Sequence, residues 1–182
     1  MSLSGRLLIA SRTLRDPNFL RTVVLMLEHG DEGALGVVLN RPTDRTLTEV
    51  WDAIDADPIA NEKTLWRGGP VPGPLIGLHR SEPLGEKQVL PGLFMSMQRD
   101  SLDELVRQDE HAYRIYTGNS GWGGGQLEGE IKVGGWLTGD ARPADLFADP
   151  EDLWPAVTKR IGLSIMLPGV EPEDLPPDAN LN

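Results

Sequence analysis

A mixed α+β fold in a single domain is predicted for this chain on three observations. Its 182 residues fit one unit of the usual ~100–200. Short apolar stretches of strand character are interrupted by scattered helical segments without regular βαβ alternation, which favours α+β over a doubly wound sheet. Two apolar runs, residues 22–28 and 34–39, are split by the turn cluster at residues 30–33, a hairpin signal.

In chain order, residues 6–10 read as a short buried strand and residues 14–18 as a polar turn. Residues 22–28 are β-branched and apolar on both faces, as in a central strand covered on both sides. After the hairpin, Asn40, Arg41 and Pro42 end the strand, because Pro42 has no N–H for a ladder. This turn is expected at the surface, with Arg41 offering planar, bidentate hydrogen bonds to an acidic group. Leu47, Val50, Trp51 and Ile54 fall at helical spacing and predict an amphipathic helix over 46–56, ending before Pro58. Strands follow at 64–66, 75–79 and 93–97, the last two joined by a polar connection over 81–88. Ser101 with Glu104 three residues on predicts a capping box. Residues 111–117 alternate and carry Tyr113, Ile115 and Tyr116, which suits a strand. Residues 118–125 read as a glycine-rich loop, 126–133 as a helix and 136–138 as the last strand. Asp149 and Pro150 predict the N-cap and first position of a further helix. From Leu167 onward the chain holds Pro168, Pro172, Pro176 and Pro177, with four acids and no base. One domain over residues 1–166 and an extended, loosely held acidic tail over 167–182 are therefore expected.

Composition excludes several classes of function. The formal charge of −11 argues against direct nucleic-acid binding, whose affinity comes mostly from Lys and Arg neutralising phosphates. With no cysteine there is no disulfide framework, cysteine-ligated metal or thiol nucleophile. No stretch approaches the ~20 apolar residues of a membrane span, and the start lacks a signal-peptide pattern, so the cytoplasm is the expected compartment. Charge is uneven: residues 1–45 hold six Arg against five acids. Arg12, Arg15, Arg21, Arg41 and Arg45 could be gathered by folding into a patch for an anion or acidic partner.

Motifs for catalysis fail when read letter by letter. No P-loop and no in-register Gly-x-Gly-x-x-Gly is present, so no cofactor is implied. His29, His79 and His111 lack metal-ligand spacing from one another. Glu28 and His29 are neighbours on a predicted strand and point to opposite faces, so neither orients the other; they are expected at its frayed end. Ser120 lies in a sharp turn between strand and helix, the setting of a nucleophile elbow, but Trp122 stands where that motif needs glycine. The same glycine amides, ahead of a helix, could instead gather around an anion.

Several blocks occur together and in order: Gly5 to Ala10, Asp16 with Phe19, Arg21 to Val24, Glu28-His29, Gly33 to Pro42, Gly68 to Val71, Gly121 to Gly123, Gly125 to Glu128, and Trp136. Over roughly residues 5–165 they resemble the bacterial YqgE/AlgH family. The resemblance implies a single α+β domain whose mostly antiparallel sheet is bifurcated and folded as a pseudo-barrel with flanking helices, from the bacterial cytoplasm. One branch is named for regulation of alginate synthesis, and members are labelled transcriptional regulators. It carries over no catalytic residue and no metal ligand. Where the family usually has Tyr-Ala, this chain has Asn119-Ser120, which weakens Ser120 as a nucleophile.

The leading reading is a non-enzymatic protein acting through protein contacts, with a regulatory role. The alternative is a binding module for a small anionic ligand, and a hydrolase comes third. Candidate ligand or partner contacts are Asn40, Arg41 and Pro42, Gly68 and Gly69, and Gly121, Trp122, Gln126 and Glu128.

Overall fold

The computed structural model describes residues 2–166; the tail expected over 167–182 lies outside them. β1 (Arg6–Ala10), β2 (Val23–Gly30), β3 (Gly33–Val38), β10 (Ser120–Gly123) and β11 (Trp136–Asp140) form an antiparallel sheet in the order β10-β3-β2-β1-β11. β4 (Pro42–Thr46), β5 (Thr64–Arg67), β6 (Ile76–His79), β7 (Lys87–Leu90), β8 (Leu93–Ser96) and β9 (Tyr113–Thr117) form a second sheet, ordered β4-β5-β9-β6-β8-β7. Its β5–β9 pair is parallel and its other pairs are antiparallel. The helices are α1 (Leu47–Ala53), α2 (Arg99–Arg107), α3 (Gln126–Lys132), α4 (Pro143–Leu146) and α5 (Pro150–Met166).

The two-faced apolar pattern of β1 and β2 explains the layering. Leu7, Ile9, Val23, Leu25 and Leu27 face the second sheet and meet Ile76, Leu78, Met95 and Tyr116, with Leu153, Val157 and Ile161 of α5 closing one side. The alternate residues Leu8, Ala10, Val24 and Met26 pack outward against Trp122, Leu127 and Trp136. Beyond the second sheet, Leu47, Val50 and Trp51 of α1 and Leu102, Leu105 and Val106 of α2 cover its other face. Burial on both faces is why these strands are near-continuous hydrophobic runs.

The expected strands at 6–10, 22–28, 34–39, 64–66, 75–79, 93–97, 111–117 and 136–138 are all present within a residue or two. Asp149 Oδ1 accepts from the Glu151 N–H at 2.9 Å, as an N-cap does before Pro150. Other expectations are corrected. β3 does end before Asn40, at Val38, but Pro42 then opens β4, an edge strand, where a missing N–H need cost no ladder bond. The connection over 81–88 contains the start of β7, another edge strand, whose Lys87 and Gln88 are exposed. The glycine-rich loop contains β10: Ser120 and Trp122 are buried while Gly121 and Gly123 face out, a period of two that glycine does not register in hydropathy. Ser101 does not cap α2, which begins at Arg99. The Glu86 carboxylate takes the Met97 and Gln98 N–H groups ahead of it at 3.0 and 2.9 Å. α1 stops at Ala53, leaving Ile54 exposed, and β2 runs through Glu28 and His29 to Gly30 rather than fraying there.

Among the described residues, no strand ladder closes either sheet into a barrel. Separate backbone contacts join their rims: Val38 N–H donates to Gly68 O at 2.8 Å, and Val71 bridges Asn119 in both directions.

Candidate functional site

The rim where β3 leaves one sheet and β4 enters the other is built by Asn40. Its Oδ1 accepts from Val23 N–H at 3.0 Å and its Nδ2 donates to Arg21 O at 2.9 Å. Asn40 is largely buried and its amide is spent on this clamp, while the residue also lines the groove beside Arg41. The clamp grips the carbonyl of a strained residue: Arg21 has φ 54°, a left-handed conformation that costs an L-residue about 1 kcal/mol.

Arg41 follows, half-buried. Its Nη2 donates to Leu20 O and its Nη1 to Asn40 O at 3.3 Å. Burial pushes the guanidinium below its ordinary value, yet arginine remains charged at any physiological pH. Arg67 N–H donates to Arg41 O at 2.8 Å, so β4–β5 pairing sets a second arginine beside the first. Among the described residues no ion pair involves Arg21, Arg41 or Arg67.

Arg41 lines two hollows. A cleft of about 260 Å³ lies between Arg41, Arg67, Gly69, Pro70, Pro17 and Asn18. A wider groove of about 670 Å³ is walled by Arg21, Pro42, Pro150, Trp154 and Pro155, with Glu151 as its one acid. Arg21 Cζ lies 5.8 Å from the Trp154 ring centroid, within cation–π range. The structure thus brings Asn40, Arg41 and Pro42 together at the groove and Gly69 to the adjoining cleft, with Arg41 shared by both. Gly68 sits behind it, buried, its carbonyl accepting from Val38 N–H and from Ser120 Oγ.

Gly121, Trp122, Gln126 and Glu128 lie apart from both hollows. Trp122 is buried against Phe19 and Trp136. Glu130 Oε2 accepts from the indole N–H groups of Trp122 and Trp136 at 3.1 and 2.8 Å, while Gln126 Nε2 donates to its Oε1 at 2.9 Å. Glu128 Oε1 stands 2.9 Å from His29 Nε2. This cluster fastens α3 to its sheet. The glycine-rich segment is not a free loop: one side of β10 pairs with β3, the Gly123 N–H donates to Gln126 Oε1 at 3.1 Å, and the α3 that follows has seven residues.

The nucleophile reading of Ser120 also fails on geometry. The residue is fully buried, and its hydroxyl donates to Gly68 O at 3.0 Å. His79 is buried with Ser96 at 3.0 Å, and the Ser96 hydroxyl donates in turn to Leu84 O. None of His29, His79 and His111 lines either hollow.

Sequence reading singled out Arg21 and Arg41 but missed Arg67, Trp154 and the prolines of α5. Arg67 adjoins the Gly68-Gly69 block that drew attention, whereas nothing local links Trp154 to Arg41.

Fold and site define an α+β protein of two antiparallel-rich sheets with a cationic cleft at their junction. The chain belongs to the AlgH-like family, whose profile matches residues 7–166. It is 38% identical over 187 residues to a UPF0301 protein of Streptomyces coelicolor, covering 95% of this chain and 94% of the relative. A UPF0301 protein of Myxococcus xanthus is 40% identical over 167 residues, covering 89% and 92%. The solution structure of the AlgH protein from Pseudomonas aeruginosa matches with a TM-score of 0.76 and 35% identity, over 93% of this chain and 95% of that one. A crystal structure from Corynebacterium diphtheriae shares the fold, with a TM-score of 0.69 at 24% identity, over 86% and 85%. Among the described residues no helix is long and apolar enough to cross a membrane.

Proposed function

We propose that this protein acts by binding and not by catalysis, with the hollows around Arg41 receiving an acidic group of a partner protein. The observation that carries this reading is a half-buried guanidinium that lines both hollows and, among the described residues, has only carbonyl partners. A partly desolvated cation without a counter-charge gains from a carboxylate more than a solvated surface arginine does. The formal charge of −11 supports a protein partner over DNA. Regulation through such contacts, in the cytoplasm, fits the family's regulatory labels without a DNA-binding element. The rim bonds of Val38 with Gly68 and Val71 with Asn119 support treating the two sheets as one pseudo-barrel with the cleft at its seam.

Affinity capture from the native host, comparing the wild-type chain with Arg41→Ala plus Arg67→Ala, tests this. Specific partners should fall about tenfold, the equivalent of ~1.4 kcal/mol. An unchanged set at unchanged yield overturns the reading. The second reading, a small anion, is favoured by the size of the Arg41–Arg67 cleft. It predicts that inorganic phosphate raises the melting temperature of the wild type and not of the double variant.

A further inference from the structure

We propose that the groove and the cleft form one docking track for an extended, proline-containing segment of a partner protein, with one acidic side chain of that segment seated at Arg41. The proposal rests on the reading of these hollows as a site for acidic groups, and it adds the kind of segment the site selects.

Four observations carry it. The first is continuity: Arg41 lines both hollows, so a chain lying in both passes its guanidinium. Bonds to Leu20 O and Asn40 O fix where that charge stands. The second is the groove wall of Pro42, Pro150, Trp154 and Pro155. The Trp154 indole N–H is already donated to Ala10 O at 2.8 Å, so the ring offers apolar surface and no donor. Such walls take up proline-rich chain, because a polyproline helix is ordered before it binds and loses little entropy.

The third observation is the rim of the cleft. Pro17 and Pro70 line it. Leu20 and Val71, close to them in the chain, are 48% and 44% exposed. Val71 is pinned to Asn119 by backbone bonds of 3.0 and 2.9 Å, so its side chain is held out at a fixed place. Apolar groups around arginine are the composition of an interface core and not of a solvated face.

The fourth is charge. Among the described residues the cleft is lined by Arg41 and Arg67 and no acid, whereas the groove sets Glu151 across from Arg21 and Arg41. The arginines attract a carboxylate, and Glu151 repels further negative charge along the groove. One acid flanked by uncharged residues fits this pattern better than a polyanion does, in keeping with the formal charge of −11.

A random-peptide display library selected on the full-length chain in salt of about 0.15 M tests the proposal. Enriched peptides should combine proline with Asp or Glu. The best of them, made synthetically with a fluorescent label, should bind about tenfold more weakly when its acid is replaced by the matching amide. It should weaken as much against Pro42→Glu plus Pro155→Glu, both at exposed positions where a charge is not buried. In the wild type, the peptide should shift the Trp154 indole and Val71 amide signals together and leave Trp51, buried under α1, in place. No enrichment, peptides lacking proline or acid, or shifts elsewhere overturn the proposal. So does tighter binding of sodium polyphosphate than of the peptide. A dimer in sedimentation that the two glutamates dissolve also overturns it, because the occupant would then be a second copy. If acidic peptides without proline bind through Arg41, only the segment assignment falls. If proline-rich peptides bind regardless of acid and of Arg41→Ala, the acidic-group reading falls with it.

Discussion

Asn40 and Arg41 are neighbours with opposite duties. Asn40 satisfies a strand N–H and a carbonyl inside the rim, whereas Arg41 contributes charge to the hollows. Asn40→Ala should destabilise by about 2 kcal/mol or more, since it strands buried backbone groups. Arg41→Ala should cost less than about 1 kcal/mol of stability while impairing capture; denaturant melts of both variants check the contrast. His79 adds a pH dependence. Burial lowers its pKa, outweighing the raising effects of the Ser81 backbone and the Glu86 charge, so the fold favours the neutral ring. The unfolded chain, with a His pKa of ~6.5, then binds the proton more readily. This contribution is complete above pH ~6.5 and is lost as pH falls below it towards the folded value. Thermal melts between pH ~5 and ~8 should show a steeper acid-side fall for wild type than for His79→Gln.

At the scale of elements, β10 shows why a glycine-rich stretch need not be a loop. Its outward positions are glycines, but its inward Trp122 and Ser120 hold the strand against β3 and Gly68. The glycines around it are not equivalent. Gly118 has φ +68°, and a Cβ there would lie 2.7 Å from Gly69 O. A Cβ on Gly121 would meet only Asn119 Oδ1, at 4.0 Å. Gly118→Ala should therefore cost well over 1 kcal/mol, and Gly121→Ala should stay within about 0.5 kcal/mol. Equal melting temperatures for the two variants would contradict this assignment.

Arg114 acts at the scale of the whole molecule. From β9 in the second sheet it donates to Leu39 O, just past β3 of the first sheet, at 3.1 Å. It also donates to Ala148 O, ahead of α5, at 2.9 Å, and its Cζ lies 3.6 Å from the Trp66 ring centroid. One side chain thus ties both sheets to the approach to α5. Arg114→Met keeps much of the apolar stem but loses those bonds and the cation–π contact, and should destabilise by about 3 kcal/mol. Urea denaturation should show it as a lower midpoint with an unchanged slope, as expected if the compactness of both states is preserved.

Much of the architecture was legible along the chain. The double-faced runs of β1 and β2, the turn at Gly30 to Gly33, the Asp149-Pro150 helix start and the family blocks each depend on residues close in sequence. Local periodicity and turn chemistry report directly on such elements. β7 and β10 escaped notice because edge strands carry polar residues or glycine, which blur the alternation that marks a half-buried strand. The candidate site was legible only in fragments: Arg41 was singled out, but its lack of a carboxylate partner among the described residues, its nearness to Arg67 and the wall of Trp154 and prolines were not. Those facts depend on residues up to 114 positions apart in the chain (Arg41 and Pro155). Sequence encodes such pairings only through the packing of two sheets and a helix, so burial, charge isolation and the shape of the cleft emerge when those layers close.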